Sequence, residues 1–487
     1  MLVEVIPWPE GPEALYARLQ NLPGLMILDS ALEPRAACRY PLGRWCFAAF
    51  DPFALLECRV GGHRLFLGSH VRRLAGDPFG ALQEILDSYR LPTGSGPTPL
   101  PAGGIGFLAY GLREFVEPRP SRPDDLELPL AYVGFYDAVL AMDRREGVLY
   151  LTSTGLPARG RARNVRAKAR MRFLQELVQR EPAVCSEISI RPGSGSGFGS
   201  GVVCSSFTRE NYLKAVRRAK EYIAAGEVYQ VNLAQRFALP WSGSGYGLFT
   251  RLRRTNPAPF GALIHGSGFT VVSASPERFL HLDPRSGVVH TRPIKGTRPR
   301  GADAADDARL ARELSASVKD RAEHVMIVDL ERNDLSRVAV PGSVRVTELM
   351  VLEPFPTVWH LVSTVEAVLR SGTGVAALLR ATFPGGSITG APKIRAMEII
   401  EELEPVPRGV YTGAVGYFSF DGHLDLNIAI RTVVLKNGRA WFHVGGGIVA
   451  DSDPQAEYQE TLDKARGLFA ALGKDHQGGD KQGAGVR

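Results

Sequence analysis

Short apolar runs bounded by turn residues recur along the whole chain and predict β-strands in both halves. The predicted strands cover residues 46–50, 64–68, 104–110, 147–152, 228–237, 269–282, 288–294, 413–420, 424–435 and 440–444. Longer segments with a helical period predict helices over residues 81–89, 161–179, 208–225, 304–335, 392–403 and 454–472. Because strands and helix groups do not alternate regularly, the pattern predicts an α+β fold with layered antiparallel sheets.

Two segments lack the apolar pattern of a packed structure. Glycine and serine dominate residues 192–201, which are predicted to form a flexible linker, and the tail has too few apolar residues to pack. The chain is therefore predicted to divide into four parts. These are an N-terminal scaffold subdomain (1–191), the linker (192–202), a domain that carries the candidate chemistry (203–472) and a disordered tail (473–487).

Composition narrows the class of protein. The chain is 44% hydrophobic and 22% charged, as in soluble globular proteins. It has no apolar run near the roughly 18–20 residues that span a bilayer, and its N-terminus lacks the features of a secretory signal, so a cytoplasmic location is expected. The five cysteines form no CxxC pair, which predicts reduced thiols without a zinc site or disulfide framework.

The net charge of +7 does not indicate nucleic-acid binding, because the basic residues are spread along the chain among acidic ones. No basic run with interleaved aromatic residues is present. A modest positive field would instead help to collect a small anionic substrate.

Lys295 lies between Pro293 and Gly296, an unusual position for a charge that only confers solubility. Proline restricts the backbone before it and glycine allows a close turn after it. Most lysines are simply solvated, but one held there and partly desolvated could act as a nucleophile or an anion anchor. A turn at residues 283–287 joins two predicted strands and is expected to bring Glu277 close to Lys295.

Carboxylates form a second candidate group. Glu457, Glu460 and Lys464 are spaced three and four residues apart in a predicted helix and so share one face, where they could be an ordinary ion-pair ladder. Residues 445–453 precede this helix and could offer exposed backbone amides to a carboxylate. With Glu323 from another helix, these carboxylates are the oxygen ligands that Mg²⁺ prefers.

A glycine-rich turn at residues 383–393 enters a predicted helix and could bind an anion, although it lacks the Walker A pattern and could be purely structural. Together with the other motifs it identifies a resemblance. From about Phe207 to Leu468 the chain resembles the chorismate-utilising enzymes, the family of anthranilate, aminodeoxychorismate, isochorismate and salicylate synthases. The matching motifs lie at residues 226–237, 275–279, 292–301, 322–334, 360–363, 383–398, 425–432 and 445–464.

The resemblance implies a layered α/β/β/α chorismate-binding fold with two large, mostly antiparallel sheets flanked by helices. It also implies a reaction. Family members with lysine at position 295 usually aminate chorismate to 4-amino-4-deoxychorismate, the precursor of 4-aminobenzoate and folate, whereas anthranilate synthases usually carry alanine there. Gln230 stands where the isochorismate and salicylate enzymes place a lysine base, which argues against water as the nucleophile.

Roles for individual residues follow from the same resemblance. Lys295 is expected to form a covalent intermediate, Glu277 to act as general acid, and Glu323, Glu457 and Glu460 to hold Mg²⁺. The expected substrate-binding residues are Gln230, His360, Thr389, Tyr411, Arg431, Gly445, Gly446, Gly447 and Lys464.

The resemblance also implies a partner. No candidate glutaminase cysteine follows Cys204, so ammonia is expected from a separate glutamine amidotransferase subunit. Anthranilate synthesis and a non-catalytic chorismate-binding subunit remain the alternatives. Leu28 to Ser30 lie where some relatives bind tryptophan, and the sequence leaves open whether this chain does.

Overall fold

The computed structural model describes residues 1–34, 40, 42–117, 122–181 and 202–474. The predicted linker, apart from Val202, and the predicted tail, apart from Gly473 and Lys474, lie outside these residues. No helix in the described ranges is long and apolar enough to cross a membrane.

The strands, numbered in chain order, are given with their bounds. They are β1 (Leu2–Pro7), β2 (Met26–Asp29), β3 (Trp45–Ala49), β4 (Ala54–Arg59), β5 (Gly62–Leu67), β6 (His70–Leu74), β7 (Gly103–Leu108), β8 (Ala131–Tyr136), β9 (Ala138–Asp143), β10 (Val148–Ser153), β11 (Cys204–Ser205), β12 (Gln230–Pro240), β13 (Phe260–Gly266), β14 (Phe269–Ser275), β15 (Arg278–Asp283), β16 (Val288–Arg292), β17 (Ile294–Pro299), β18 (Arg345–Pro354), β19 (Val358–Val368), β20 (Gly390–Ala391), β21 (Ala414–Ser419), β22 (Leu424–Ile428), β23 (Thr432–Lys436) and β24 (Arg439–Ile448).

The α-helices surround these strands. They are α1 (Gly11–Leu19), α2 (Pro78–Ser88), α3 (Gly160–Gln179), α4 (Arg209–Ala224), α5 (Gly245–Thr255), α6 (Ala304–Ala316), α7 (Val318–Ser336), α8 (Val375–Thr382), α9 (Lys393–Leu403) and α10 (Pro454–Ala471). Thr208 caps α4 as predicted, because its hydroxyl accepts a hydrogen bond from the Asn211 amide. The single helix predicted over 304–335 is wrong: Ser317 interrupts it and caps α7 through the Asp320 amide.

Within the described residues the strands form two sheets of twelve strands each. The first runs β1-β10-β9-β3-β2-β13-β14-β23-β24-β12-β11, with β20 beside β12. The second runs β17-β19-β16-β15-β22-β21-β7-β8-β4-β5-β6, with β18 beside β19. All pairs in the described ladders are antiparallel, so the expected pair of large antiparallel sheets is confirmed.

Apolar side chains between the sheets hold the layers together. Phe107 and Tyr132 of the second sheet pack edge-on against Phe269 of the first, with ring centroids 5.9 and 5.2 Å apart. Helices α1, α3, α5 and α10 cover the outer face of the first sheet, and α2, α7 and α8 cover that of the second. The arrangement is the predicted α/β/β/α layering.

Both parts of the chain contribute strands to both sheets. In the first sheet β2 pairs with β13, and in the second β7 pairs with β21. The division at the linker stays a prediction, but residues 1–181 and 202–474 share their sheets and their core.

Two predicted strands are interrupted where the chain passes from one sheet to the other. The run 269–282 divides into β14 in the first sheet and β15 in the second, with Pro276 and Glu277 at the crossing. The run 424–435 divides into β22 in the second sheet and β23 in the first, with Arg431 at the crossing. The crossings therefore place a buried carboxyl and a guanidinium between the sheets.

A buried ion pair lies beside these crossings. Arg408 donates to both carboxylate oxygens of Glu404, to the carbonyls of Ile388 and Asn232 and to the Thr412 hydroxyl. The two charged side chains are 1% and 4% exposed. All five guanidinium donors are thus used inside the protein.

Replacing Glu404 with alanine is expected to lower the free energy of unfolding by about 3–5 kcal/mol, because an unpaired guanidinium would stay buried. Urea denaturation measures this. The matched control is Glu221→Ala, which breaks the exposed Arg218–Glu221 pair and should cost at most about 1 kcal/mol. Equal losses of unfolding free energy in the two variants would show that burial does not make the Arg408–Glu404 pair more important to stability than an exposed pair.

Candidate active site

Lys295 lies in β17, on the edge of the second sheet, and its side chain is half-buried. Gly296 follows it with φ +82°, the left-handed backbone that glycine favours, so the predicted close turn is present. Burial lowers the pKa of the Lys295 ammonium, and the nearby Lys464 charge lowers it further, while Glu323 and Glu277 oppose this change. The neutral amine that a nucleophile requires therefore forms more readily here than at an exposed lysine.

Glu277 is buried at the first sheet crossing, close to Lys295 in the fold. The amide of Ile294, the residue before Lys295, points at the Glu277 carboxylate at 3.5 Å. Burial raises the pKa of Glu277 to about 7, although the positive charge of Lys295 opposes the rise. The carboxyl can thus hold a proton near neutral pH, which a general acid must do.

The three glycines 445–447 are strand residues, because the strand predicted over 440–444 continues as β24 to Ile448. They lie in β24, paired with Ala234, Leu233 and Asn232 of β12. Their importance is the absence of side chains. A β-carbon on Gly447 would overlap the amide of Gln230 and lie 3.5 Å from Lys295 Nζ. Glycine therefore makes room for the Gln230 amide beside the lysine.

Helix α10 brings acidic groups to the same region. Glu457 is buried and accepts a hydrogen bond from Ser452 Oγ at 2.6 Å, while Lys319 of α7 lies 3.7 Å away. A β-carbon on Gly446 would lie 3.2 Å from Glu457 and 3.5 Å from Glu460. The carboxylates therefore lie beside Gly446, on the α10 side of β24.

Glu460 behaves differently from the other two candidate metal ligands. It pairs with Lys464 at 2.7 Å, and this charge lowers the pKa of Glu460. Burial instead raises the pKa of Glu323 and Glu457, and each is raised further by a neighbouring carboxylate. Lys464 also donates to the Gly445 carbonyl at 2.9 Å.

These residues fit a Mg²⁺ ion held by few protein ligands. In the described part of the chain, no three or more His, Cys, Asp or Glu side chains form a ready metal cage. Mg²⁺ commonly uses one or two carboxylates and completes its octahedron with water and substrate anions. The negative charge of Glu457 raises the pKa of Glu323, because two nearby carboxylates repel each other. A cation between them would relieve that repulsion.

Arg431 supplies a half-buried cation near the site. Its guanidinium makes no hydrogen bond or ion pair with the described residues, and burial lowers its pKa. Arg431 has a positive φ of 49° at the second sheet crossing. The planar guanidinium can hold a carboxylate in two parallel hydrogen bonds, so its setting suits an anionic ligand.

His360 lies near Arg431 and is uncharged. Burial, with the Arg431 charge second, lowers the pKa of His360 to about 3. Its Nδ1 is 2.9 Å from the Thr297 hydroxyl, and its buried Nε2 has no hydrogen-bond partner among the described residues. The free nitrogen is available to a ligand.

Tyr411, Thr389 and Gln230 complete the predicted set. Tyr411 is buried and its ring stacks on His443, with centroids 5.1 Å apart. Thr389 donates to the Gly385 carbonyl at 3.0 Å, so its hydroxyl first stabilises the glycine-rich turn. Gln230 is buried with an unpartnered Oε1. Tyr411 and Gln230 are thus buried side chains of the candidate site, whereas the Thr389 hydroxyl is already hydrogen-bonded to the backbone.

Sequence reasoning missed several groups that support the site. His324 Nε2 lies 2.6 Å from the Ser363 hydroxyl and its Nδ1 lies 3.4 Å from the Lys295 carbonyl. Glu331 is a second buried carboxyl, and burial raises its pKa to about 7. A polar residue within the apolar stretch of a helix is the available sequence signal, but it does not reveal the partner.

Comparison with known proteins shows the family of this chain. The profile of the chorismate binding enzyme family matches residues 51–470. Aminodeoxychorismate synthase component 1 from Klebsiella aerogenes is 41% identical, covering 96% of this chain and 98% of that one. Anthranilate synthase component 1 from Thermus thermophilus is 43% identical over 77% and 78% of the two chains. The crystal structure of anthranilate synthase component I from Streptococcus pneumoniae superposes with a TM-score of 0.74 at 30% identity, covering 89% and 93%.

Two facing sheets around an amine, a buried acid and an unpaired guanidinium define an enzyme that handles a small anionic substrate. The chain belongs to the family of chorismate binding enzymes. The similarity to two kinds of synthase, at comparable identity, leaves the particular reaction to the residues of the site.

Proposed function

We propose that this protein is an aminodeoxychorismate synthase, which converts chorismate and ammonia to 4-amino-4-deoxychorismate and water. The observation that carries this proposal is the half-buried amine of Lys295 beside Gln230 and Gly447, with the proton-bearing Glu277 nearby. A lysine in this position can supply the nucleophile.

The proposed reaction has two displacements. The neutral amine of Lys295 attacks C2 of chorismate, both conjugated double bonds of the ring shift by one position toward C4, and the C4–O bond breaks as Glu277 gives its proton to the departing hydroxyl. Water leaves. Ammonia then attacks C4, the double bond returns, and the C2–N bond to Lys295 breaks, while the surplus proton returns to Glu277. Two displacements replace one difficult step and retain the configuration at C4.

The substrate carboxylates are proposed to bind at two places. Arg431 can hold one in two parallel hydrogen bonds, with neutral His360 offering its free nitrogen and Tyr411 closing the wall. Glu323 and Glu457, with Glu460 as a further candidate, would hold Mg²⁺ near the other. When bound, Mg²⁺ would orient that carboxylate and offset its charge.

The proposed source of ammonia is a separate glutamine amidotransferase subunit. We place the reaction in the cytoplasm, in the synthesis of 4-aminobenzoate and folate, and propose no nucleic-acid or membrane partner. The K. aerogenes relative bears the name component 1, which fits a protein with a second component.

The test is product identification with the purified chain, chorismate, MgCl₂ and ammonium chloride. Chromatography with mass detection should show 4-amino-4-deoxychorismate and no fluorescent anthranilate, since no lyase is added. Anthranilate as the main product would replace this proposal with anthranilate synthase, which the T. thermophilus similarity keeps as the second candidate. Binding of chorismate without turnover would support the non-catalytic alternative.

A further inference from the structure

Lys319 lies in the first turn of α7, where a lysine does not stabilise the helix itself. Ser317 caps this helix through the Asp320 amide, so Lys319 is the second helical residue. The N-terminal end of a helix carries a partial positive charge, which favours the Asp320 carboxylate and disfavours the Lys319 ammonium group. The reason for a lysine at this position is therefore to be found in its neighbours beyond the first turn.

Two of these neighbours are candidate magnesium ligands. Lys319 Nζ lies 3.7 Å from Oε1 of Glu457 in α10, and the lysine side chain is 49% exposed whereas that of the glutamate is 5% exposed. Glu323 lies four residues after Lys319 and thus on the same face of α7. The ammonium group therefore connects the two helices that carry the candidate ligands.

The charge of Lys319 acts on all three candidate carboxyls. Burial raises the pKa of Glu323 and of Glu457, and the positive charge of Lys319 opposes both rises. Lys464 lowers the pKa of Glu460, and Lys319 lowers it further. A single ammonium group therefore favours the ionised form of each carboxyl, which is the form that binds a metal.

The other lysines of the site are held more firmly or have another proposed task. Lys464 lies 2.7 Å from Glu460 and also donates to a backbone carbonyl at 2.9 Å, whereas Lys295 is the proposed nucleophile. At 3.7 Å from Glu457, the ammonium group of Lys319 is beyond hydrogen-bond length. It is therefore the positive charge that an arriving cation can displace most easily.

We propose that Lys319 is the counter-ion of the candidate magnesium site in the metal-free protein, and that Mg²⁺ displaces its ammonium group on binding. This inference rests on the proposed function, in which Glu323 and Glu457 hold the metal. Mg²⁺ lies about 2.0–2.1 Å from its oxygen ligands, so it repels an ammonium group at the same carboxylates strongly. Lys319 therefore stabilises the carboxylates of both helices before the metal arrives, and it weakens the binding of the metal itself.

Isothermal titration calorimetry tests this proposal without turnover, by titrating MgCl₂ into the whole chain after treatment with EDTA and dialysis. Lys319→Met keeps an apolar side chain of similar length but removes the charge. It should lower the Kd for Mg²⁺ about tenfold, because the metal no longer displaces a cation. Lys319→Gln should have the same effect, whereas Lys319→Arg keeps the charge and should bind Mg²⁺ within about twofold of the wild type.

Thermal unfolding supplies a second measurement. Without Mg²⁺, Lys319→Met should unfold at a lower temperature than the wild type, because the neighbouring carboxylates lose their counter-ion. Saturating MgCl₂ should remove most of this difference, because the metal then supplies the positive charge. A lysine that formed only an ordinary surface ion pair would give the same small difference with and without Mg²⁺.

The matched control is Lys168→Met. It removes the charge of an exposed lysine of α3, a helix that carries none of the three glutamates. The variant should leave unchanged both the affinity for Mg²⁺ and the effect of Mg²⁺ on the unfolding temperature.

An unchanged or weaker affinity for Mg²⁺ in both Lys319→Met and Lys319→Gln would overturn the inference. Tighter binding by Lys319→Arg, equal to that of Lys319→Met, would also overturn it, because the charge would then not matter. So would a wild type that binds no Mg²⁺ with or without chorismate. Formation of anthranilate by the wild type would instead reject the proposed function, while the calorimetry, which involves no turnover, would still decide the role of Lys319.

Discussion

Replacing Lys295 with alanine is expected to remove the covalent intermediate and to lower 4-amino-4-deoxychorismate formation by roughly a thousandfold or more. The amine is the group proposed to attack C2, and alanine leaves only a space beside Gln230 and Gly447. Intact-protein mass spectrometry after mixing with chorismate and Mg²⁺, without ammonia, should show an adduct on the wild type and none on the variant.

Lys464→Ala is the matched control, because it removes a second lysine from the same region. Lys464 pairs with Glu460 and donates to the Gly445 carbonyl, so its loss should weaken substrate binding but leave the adduct detectable. An adduct of equal yield on Lys295→Ala would show that another group attacks chorismate. Unchanged amination by that variant would exclude the two-displacement reaction.

The sequence predicted most of the layered architecture but not the crossings between the sheets. The runs 269–282 and 424–435 have apolar residues on both sides of the crossing, since buried strands in either sheet need the same residues. Which sheet each half joins depends on partners far away in the chain, such as the pairing of β15 with β22. Local pattern therefore could not reveal that Glu277 and Arg431 both lie at crossings.

The candidate site was likewise predicted only in part from the sequence. Motif resemblance identified Lys295, Glu277 and the carboxylates, but residue spacing could not distinguish the exposed pair Glu460–Lys464 from the buried Glu457 with its Ser452 donor. The glycines 445–447 have the composition of a loop. Only the pairing of β24 with β12 shows them as strand residues that admit the side chains of Gln230, Asn232 and Glu457 close to the backbone.

Glu277→Gln is expected to lower the rate of amination by about 10²- to 10⁴-fold, because the amide fills the same space but cannot protonate the departing hydroxyl. In the wild type, the pKa of about 7 means that Glu277 is protonated below this pH and loses its proton above it. The wild-type rate should therefore fall as the pH rises through about 7. The residual rate of the variant should not show this fall.

Stability gives a second measurement that does not depend on catalysis. Burial raises the pKa of Glu277 from 4.5 in the unfolded chain to about 7, so the folded state binds its proton more tightly. The resulting stability is present below pH 4.5 and is lost as the pH rises to 7, by about 3 kcal/mol. Glutamine cannot ionise. Urea denaturation should therefore show that the unfolding free energy of Glu277→Gln rises by about 3 kcal/mol relative to that of the wild type between pH 4 and pH 8. A constant difference across that range would mean that Glu277 titrates normally and cannot serve as the acid.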